Sequence, residues 1–232
     1  MSISSLQIDN VKWPCHLPLN TRSAILSISE LRQGMSSFLS FNNFVSVPGL
    51  FYILQGSAGV SFTSNEVKKV IGGVVGKSDW LGANTFNQEA KYFLLTEEIE
   101  KLKVLLFPKD KLLDLANKDP LVYKFLFHTA SSSHQIWMDI LISNINDKQF
   151  KLIFILYRLW KKGSNTEDNL PVIYISQNQL SSFSGISPAR LNEVLKHLEH
   201  CGYIKLKRGR IFILDPDSML KQIQSMNMLI SE

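Results

Sequence analysis

Between residues 175 and 214 the apolar positions recur first with a helical and then with a strand-like period, in the run ISQNQLSSFSGISPARLNEVLKHLEHCGYIKLKRGRIFIL. Ser176 and Gln179 stand three apart ahead of Leu180 and Phe183. This is the capping-box pattern, in which hydroxyl and amide satisfy free N–H groups at a helix start. Ser184-Gly185-Ile186 interrupts that helix, and Gly185 can take the positive φ that a sharp inter-helix turn needs and a Cβ resists. Ser187 and Pro188 open a second helix as N-cap and first-turn proline. In it Leu191, Val194, Leu195 and Leu198 fall at i, i+3, i+4 and i+7, one stripe for burial. Ala189, Glu193, Lys196 and His200 take the opposite face, with Arg190, Asn192 and His197 on the flanks, and Gly202 terminates the helix. Tyr203 to Leu206 and Ile211 to Leu214 then read as short strands around Lys207-Arg208-Gly209-Arg210. Two capped helices, a tight turn and a basic hairpin predict a winged helix-turn-helix.

Upstream the period changes. From Ser36 to Phe107 short strand-like runs (SFLSF, FVSVPG, LFYILQGSAGVSF, KKVIGGVVG, KYFLLTEE, KLKVLLF) alternate with glycine and asparagine turns, predicting a small all-β roll or barrel. Pro108 opens a short helix ending near Asn117. Asp119-Pro120 starts a much longer one reaching about Ile145, whose seam of Val122, Leu126, Thr129, Ser133, Ile136, Ile140 and Ser143 alternates steps of four and three. That heptad stripe predicts a dimer contact, with an intrachain core helix as the other reading. DKQFKLIFILYRLWKK forms a further apolar helix, GSNTEDNLP a linker and VIYI a strand. The organisation expected is α+β: a roll over 1–118, a dimerisation helix over 119–146 and a winged helix over 147–232.

Charge sharpens this picture. Within 175–214 six basic residues (Arg190, Lys196, Lys205, Lys207, Arg208, Arg210) face two acids (Glu193, Glu199), a balance of +4 in a chain whose total is +5. Concentrating the excess on one module suits a phosphate backbone, since neutralising phosphates releases counterions. Cys15 and Cys201 are too few for a disulfide framework or a four-thiolate cluster. Cys201 is expected to pack as a small apolar residue. Cys15-His16 would hold a metal or haem only with poor chelate geometry, so no metal and no cofactor are expected. No apolar run is long enough for a membrane span and MSISSLQIDN lacks a signal-peptide layout, so the cytoplasm is expected. The five histidines (His16, His128, His134, His197, His200) have no metal spacing, and neither a nucleophile motif nor a phosphate-cradling glycine loop appears, which argues against an enzyme.

Roll, long helix and winged helix in that order resemble the cyclic-AMP receptor protein/FNR superfamily of bacterial transcription regulators, over nearly the whole chain. LFYILQGSAGV is similar to that family's strand-turn-strand ahead of the ligand pocket, and ISQNQLSSFSGISPARLNEVLKHLEHCGYI matches its helix-turn-helix without a gap. The resemblance implies an N-terminal double-stranded β-helix like a cyclic-nucleotide-binding domain. It also implies a homodimer paired through its long helices, with two recognition helices in successive major grooves of a two-fold operator. The partners it implies are double-stranded DNA, a second copy, RNA polymerase and an unidentified small-molecule or protein effector.

The sequence departs from that family at the ligand site. Nucleotide-binding members carry Gly-Glu followed by an Arg-Ser or Arg-Thr pair. Here Gly82 keeps the glycine, Ala83 replaces the ribose-binding glutamate, and Glu89-Ala90 fall near the arginine pair, where a carboxylate repels a cyclic phosphate. Lys91 is a point charge of different direction. The pocket near Gly82, Ala83, Glu89 and Ala90 is therefore expected to be degenerate, without cyclic-AMP binding of the usual kind. Phe51, Tyr52, Phe62, Trp80, Phe86, Tyr92 and Phe93 are expected in the core rather than around a ligand. The base-reading positions of the best-known members match Pro188, Ala189 and Glu193. Glu193 can accept from cytosine N4, Ala189 touch a thymine methyl, and Arg190 or Lys196 reach guanine or phosphate. Ser176, Gln177 and Ser187 at helix starts, with Lys207, Arg208 and Arg210 on the wing, would hold the DNA backbone, or else merely cap and solvate. The function expected is a dimeric, sequence-specific transcription regulator; the alternative is a protein-interaction module using the same scaffold.

Overall fold

The computed structural model describes residues 11–34, 48–62, 71–83, 94–163 and 165–225. Their elements are, in order, α1 (Leu19–Ser27), β1 (Glu30–Gln33), β2 (Gly49–Phe62), β3 (Ile71–Gly76), β4 (Trp80–Leu81), β5 (Leu94–Pro108), α2 (Lys109–Lys118), α3 (Leu121–Ile145) and α4 (Lys148–Lys162). There follow β6 (Thr166–Glu167), β7 (Leu170–Tyr174), α5 (Gln177–Ser184), α6 (Pro188–His200), β8 (Ile204–Lys207), β9 (Arg210–Ile213) and α7 (Pro216–Gln224). These residues divide into two compact units, one within 11–55, 77–83 and 101–137, the other within 56–76, 94–100 and 138–225.

The first unit is built on antiparallel pairs, β1 with β5 from Glu30↔Leu106 to Gln33↔Lys103, and β2 with β4 at Phe51↔Leu81 and Tyr52↔Trp80. Its centre is aromatic. The Trp80 ring lies 4.6 Å from Tyr52, 5.1 Å from Phe125, 5.5 Å from Phe107 and 6.2 Å from Trp13, centroid to centroid. Such tilted and edge contacts suit the ring quadrupoles. The polar edges are satisfied too, since Trp80 Nε1 donates to Lys12 O at 2.9 Å and the Lys12 amide donates to the Tyr52 hydroxyl at 2.8 Å. Thr21 Oγ1 donates to Asp119 Oδ2 at 2.7 Å, while Asp119 Oδ1 accepts from the Leu121 amide at 3.0 Å and caps α3.

The second unit holds the β2–β3 hairpin, paired from Ser57↔Gly76 to Phe62↔Ile71, and a four-stranded sheet in the order β6-β7-β9-β8. Asp147 caps α4 through the Phe150 amide at 2.8 Å. From Phe150 to Leu159 every residue of α4 is buried, Lys151 and Arg158 included. A helix apolar nearly all round is one enclosed on all sides.

Two expectations need correction. The seam proposed for dimerisation is packed inside the chain itself: Val122, Thr129, Ser133, Ile136, Ile140 and Ser143 are all buried. Its hydroxyls turn inward, Thr129 Oγ1 donating to Phe125 O and Ser143 Oγ to Ile140 O at 2.7 Å, and Ser133 Oγ to Trp80 O at 2.7 Å. Small hydroxyl residues that bond back to backbone let a helix lie close to its neighbours, which is why the stripe reads as a seam. Second, Cys201 is exposed, its Sγ 3.7 Å from His197 Nε2. It is the C-cap residue, one past the last residue of α6, where the chain leaves the helix that the stripe belongs to. Beyond these, α1 and α7 are helices for which the sequence reading makes no assignment.

Candidate nucleic-acid interface

The first helix of the expected reading head, α5, begins as its sequence dictates. The Gln179 amide donates to Ser176 Oγ at 3.1 Å and the Ser176 amide to Gln179 Oε1 at 3.1 Å, closing the capping box. Gly185 sits in the left-handed region at φ 65°, ψ 20°, and ends the helix. Ser181 Oγ donates across the turn to Ile186 O at 2.6 Å. Ser187 is the N-cap residue of α6 with Pro188 in the first turn, but its hydroxyl makes no capping bond. Ser187 is exposed.

Leu191, Val194, Leu195 and Leu198 are buried as the stripe requires. Pro188, Ala189, Arg190, Glu193, Lys196, His197 and His200 are exposed, and Asn192 is half-buried. Arg190 Nη1 and Glu193 Oε2 pair at 2.7 Å across one turn. An exposed i,i+3 pair contributes only a few tenths of a kcal/mol, about 0.2–0.5, so it orders the two side chains without holding them fast. Beyond Gly202, at φ 77°, the chain enters the wing.

In the wing β8 pairs with β9 from Ile204↔Ile213 to Lys207↔Arg210, leaving Arg208-Gly209 as a two-residue tip with Gly209 at φ 70°. Glu199, near the end of α6, accepts from the Leu206 amide at 2.7 Å and ties helix to wing. Lys207 Nζ lies 4.9 Å from the Phe212 ring centroid. Arg210 differs from its neighbours: Nη1 meets Glu167 Oε1 at 2.5 Å, and Tyr174 Oη donates to Glu167 Oε2 at 3.3 Å. The guanidinium holds the Glu167 carboxyl below the usual carboxylate range, and the carboxylate raises the Arg210 cation in return. Between wing and α5 lies a groove of about 610 Å³, floored by Ile175, Leu180, Leu195 and Ile211 and rimmed by Ser176, Gln177, Lys207 and Arg208. The structure thus gathers Ser176, Gln177, Lys207, Arg208 and Arg210 around one groove, and sets Ala189, Arg190, Glu193 and Lys196 on the outward side of α6. Sequence reasoning counted Glu199 only as a charge and passed over Glu167, for their partners are seven and forty-three positions away.

Residues 151–222 match the model of the Crp-like helix-turn-helix domain. Over those residues the chain resembles a Crp-like helix-turn-helix. Solved structures extend the fold to nearly the whole chain. A CRP/FNR-family transcriptional regulator from Eubacterium rectale superposes with a TM-score of 0.63 at 14% identity, covering 90% of this chain and 95% of that one. The c-di-GMP-responsive global regulator CLP of Xanthomonas campestris gives 0.59 at 16% identity over 85% and 99%. A CRP/FNR-family regulator of Thermus thermophilus gives 0.56 at 14% over 85% and 95%. No curated protein matches the sequence. The CRP/FNR-type fold expected from the sequence, with its β-rich N-terminal region, long helix and C-terminal helix-turn-helix, is therefore present.

Where the sequence predicts a degenerate pocket, Gly82 has φ 98° and Ala83 is buried in the aromatic core of the first unit. Phe51, Tyr52 and Trp80 are likewise buried, as expected of core residues. Glu89, Ala90, Lys91, Phe86, Tyr92, Phe93 and the side chain of Phe62 lie outside the described residues. Cys15 packs half-buried against that core, and burial pushes its thiol up, while His16 is exposed. Among the described residues no group of three or more His, Cys, Asp or Glu is placed to hold a metal, and no helix is long and apolar enough to cross a membrane.

Proposed function

We propose that this chain is a dimeric, sequence-specific DNA-binding transcription regulator that acts without cyclic AMP in the usual mode. The observation that carries the reading is the polarity of α6: its apolar stripe is sealed inside the module while Ala189, Arg190, Glu193 and Lys196 stand exposed on the outer side, beside a wing tip of Lys207 and Arg208. Arg190 and Glu193 supply base-edge contacts in the major groove. Ser176, Gln177, Ser187, Lys207 and Arg208 hold phosphates and fix the register. Arg210, beside the tip but already engaged by Glu167, ties the wing to that carboxylate and contributes less to the phosphate field.

A second stripe on α3 supports the dimer. Phe127, Ser131, His134, Met138, Leu141 and Ile145 follow one another in steps of four and three and are all exposed, Phe127 by 68% and Ile145 by 74%. Large apolar side chains left in water at heptad spacing fit a second copy of the same helix. Ala83, buried where a ribose-binding carboxylate would stand, supports independence from cyclic AMP.

Selection of bound duplexes from a random DNA pool, repeated at raised salt, tests the proposal. The expected result is enrichment of a two-fold symmetric sequence that survives the salt step, together with a dimeric mass in sedimentation that Leu141→Lys converts to a monomer. Binding without enrichment, lost at modest salt, would leave only nonspecific attraction and overturn the reading.

A further inference from the structure

The first helix of the helix-turn-helix is seated on the β2–β3 hairpin by an unusually close contact. A methyl group added at Gly59 would fall within the ring of Phe183, and one added at Gly72 would fall on the Phe183 peptide carbonyl. Only glycine at both positions lets helix backbone and strand backbone approach so nearly. Phe183 is 2% exposed, so its ring is wholly enclosed.

Polar groups close the socket. Lys151 of α4 is 4% exposed, and its ammonium donates to the Ser184 carbonyl, at the turn of the helix-turn-helix, and to Asn144 Oδ1 at 2.5 Å. Asn144, at the foot of α3, donates through Nδ2 to the Gly72 carbonyl at 2.9 Å and to Ile140 O at 2.7 Å, and its Oδ1 accepts from the Gly72 amide at 3.3 Å. On the other side of α5, Ser182 Oγ donates to a Glu97 carboxylate oxygen from β5. One ammonium and one amide thus join hairpin, α3, α4 and α5. A buried lysine is tolerated only where such acceptors compensate its lost hydration.

Resting on the DNA-binding reading above, we infer that Phe183, Lys151, Gly59 and Gly72 are positioning residues for DNA recognition: they lock α5, and with it α6, to the β2–β3 hairpin. A shift of that hairpin reaches the reading helix through side-chain contact on α5, alongside the covalent route from α3 into α4. None of the four residues touches DNA in this scheme.

The test is a double-mutant cycle on the full chain, read as affinity for the duplex that the wild-type protein selects. Hydrogen–deuterium exchange over residues 177–186 is measured in parallel without DNA. Gly59→Ala should weaken binding about tenfold and speed exchange across α5, whereas in a Phe183→Ala background the same change should cost no more than about twofold, because the Cγ and Cδ1 atoms that the methyl would meet are gone. Lys151→Met should speed exchange at the Ser184-Gly185 turn and weaken binding in the same direction. An equal loss from Gly59→Ala in both backgrounds, or unaltered binding and exchange, would overturn the inference. A wild-type protein that enriches no duplex sinks the DNA-binding reading and the positioning role with it. The exchange response to Gly59→Ala still reports separately whether the socket holds α5.

Discussion

The aromatic centre of the first unit and the outer face of α6 use their side chains in opposite ways. Around Trp80 the indole N–H has a protein partner and Ala83 contributes a methyl to the packing. On α6 the stripe alone is consumed by packing, and the residues beside it stand exposed, Arg190 and Glu193 sharing a pair at the surface. Where burial has spent the chemistry, a residue reports on stability. Where charge remains exposed beside a rigid frame, it is available for recognition.

Substitutions should respect that division, and the largest effect belongs to the first region. Trp80→Ala removes an enclosed ring and should lower unfolding free energy by about 3–5 kcal/mol, read from a denaturant midpoint, while the folded fraction selects the same DNA. A changed preferred sequence would mean that the two regions are not separable in this way. Next comes Arg190→Ala, which should reduce discrimination at one operator position by about 1–3 kcal/mol in competition binding and barely move the denaturation midpoint. Arg208→Ala should be gentler still, weakening all sequences alike and lowering the log–log salt slope by about 0.9. Identical behaviour of these two variants would erase the distinction between reading bases and holding phosphates.

Acid provides the smallest effect. Arg210 depresses the Glu167 carboxyl, so the support this pair gives the wing is complete above the ordinary carboxylate pKa and is lost as pH falls through the lowered value in the folded protein. Amide exchange in β9 should therefore quicken below the usual carboxylate range in the wild type, and Glu167→Gln should show no such step.

Local rules made the helix-turn-helix legible. A capping box, a glycine turn and an i,i+3,i+4,i+7 stripe are all settled within a dozen residues, and Ser176, Gln179, Gly185 and Leu191 stand where those rules put them. Pairing with distant segments is what periodicity leaves open. The long helix carries two heptad stripes, and only the fold decides that Val122, Ser133 and Ile140 meet their own chain while Phe127, Leu141 and Ile145 face water. Helix α1 escaped notice because its buried residues are Thr21, Ile25 and Leu26 with no side-chain cap at Pro18. For α7 the signal existed, since Asp215-Pro216 precedes Ser218, whose amide donates to Asp215 Oδ1 at 2.9 Å. The Lys151 socket had none, because the groups it joins come from separate elements.

The bond from the Leu206 amide to Glu199 has a geometric corollary. On the proposed DNA-binding reading, helix and hairpin would act as the two jaws of a fixed caliper, and a duplex would meet both only if its groove width suited the set gap. Base pairs lying between the jaws, untouched by any side chain, would then be judged by how readily they narrow or widen to fit.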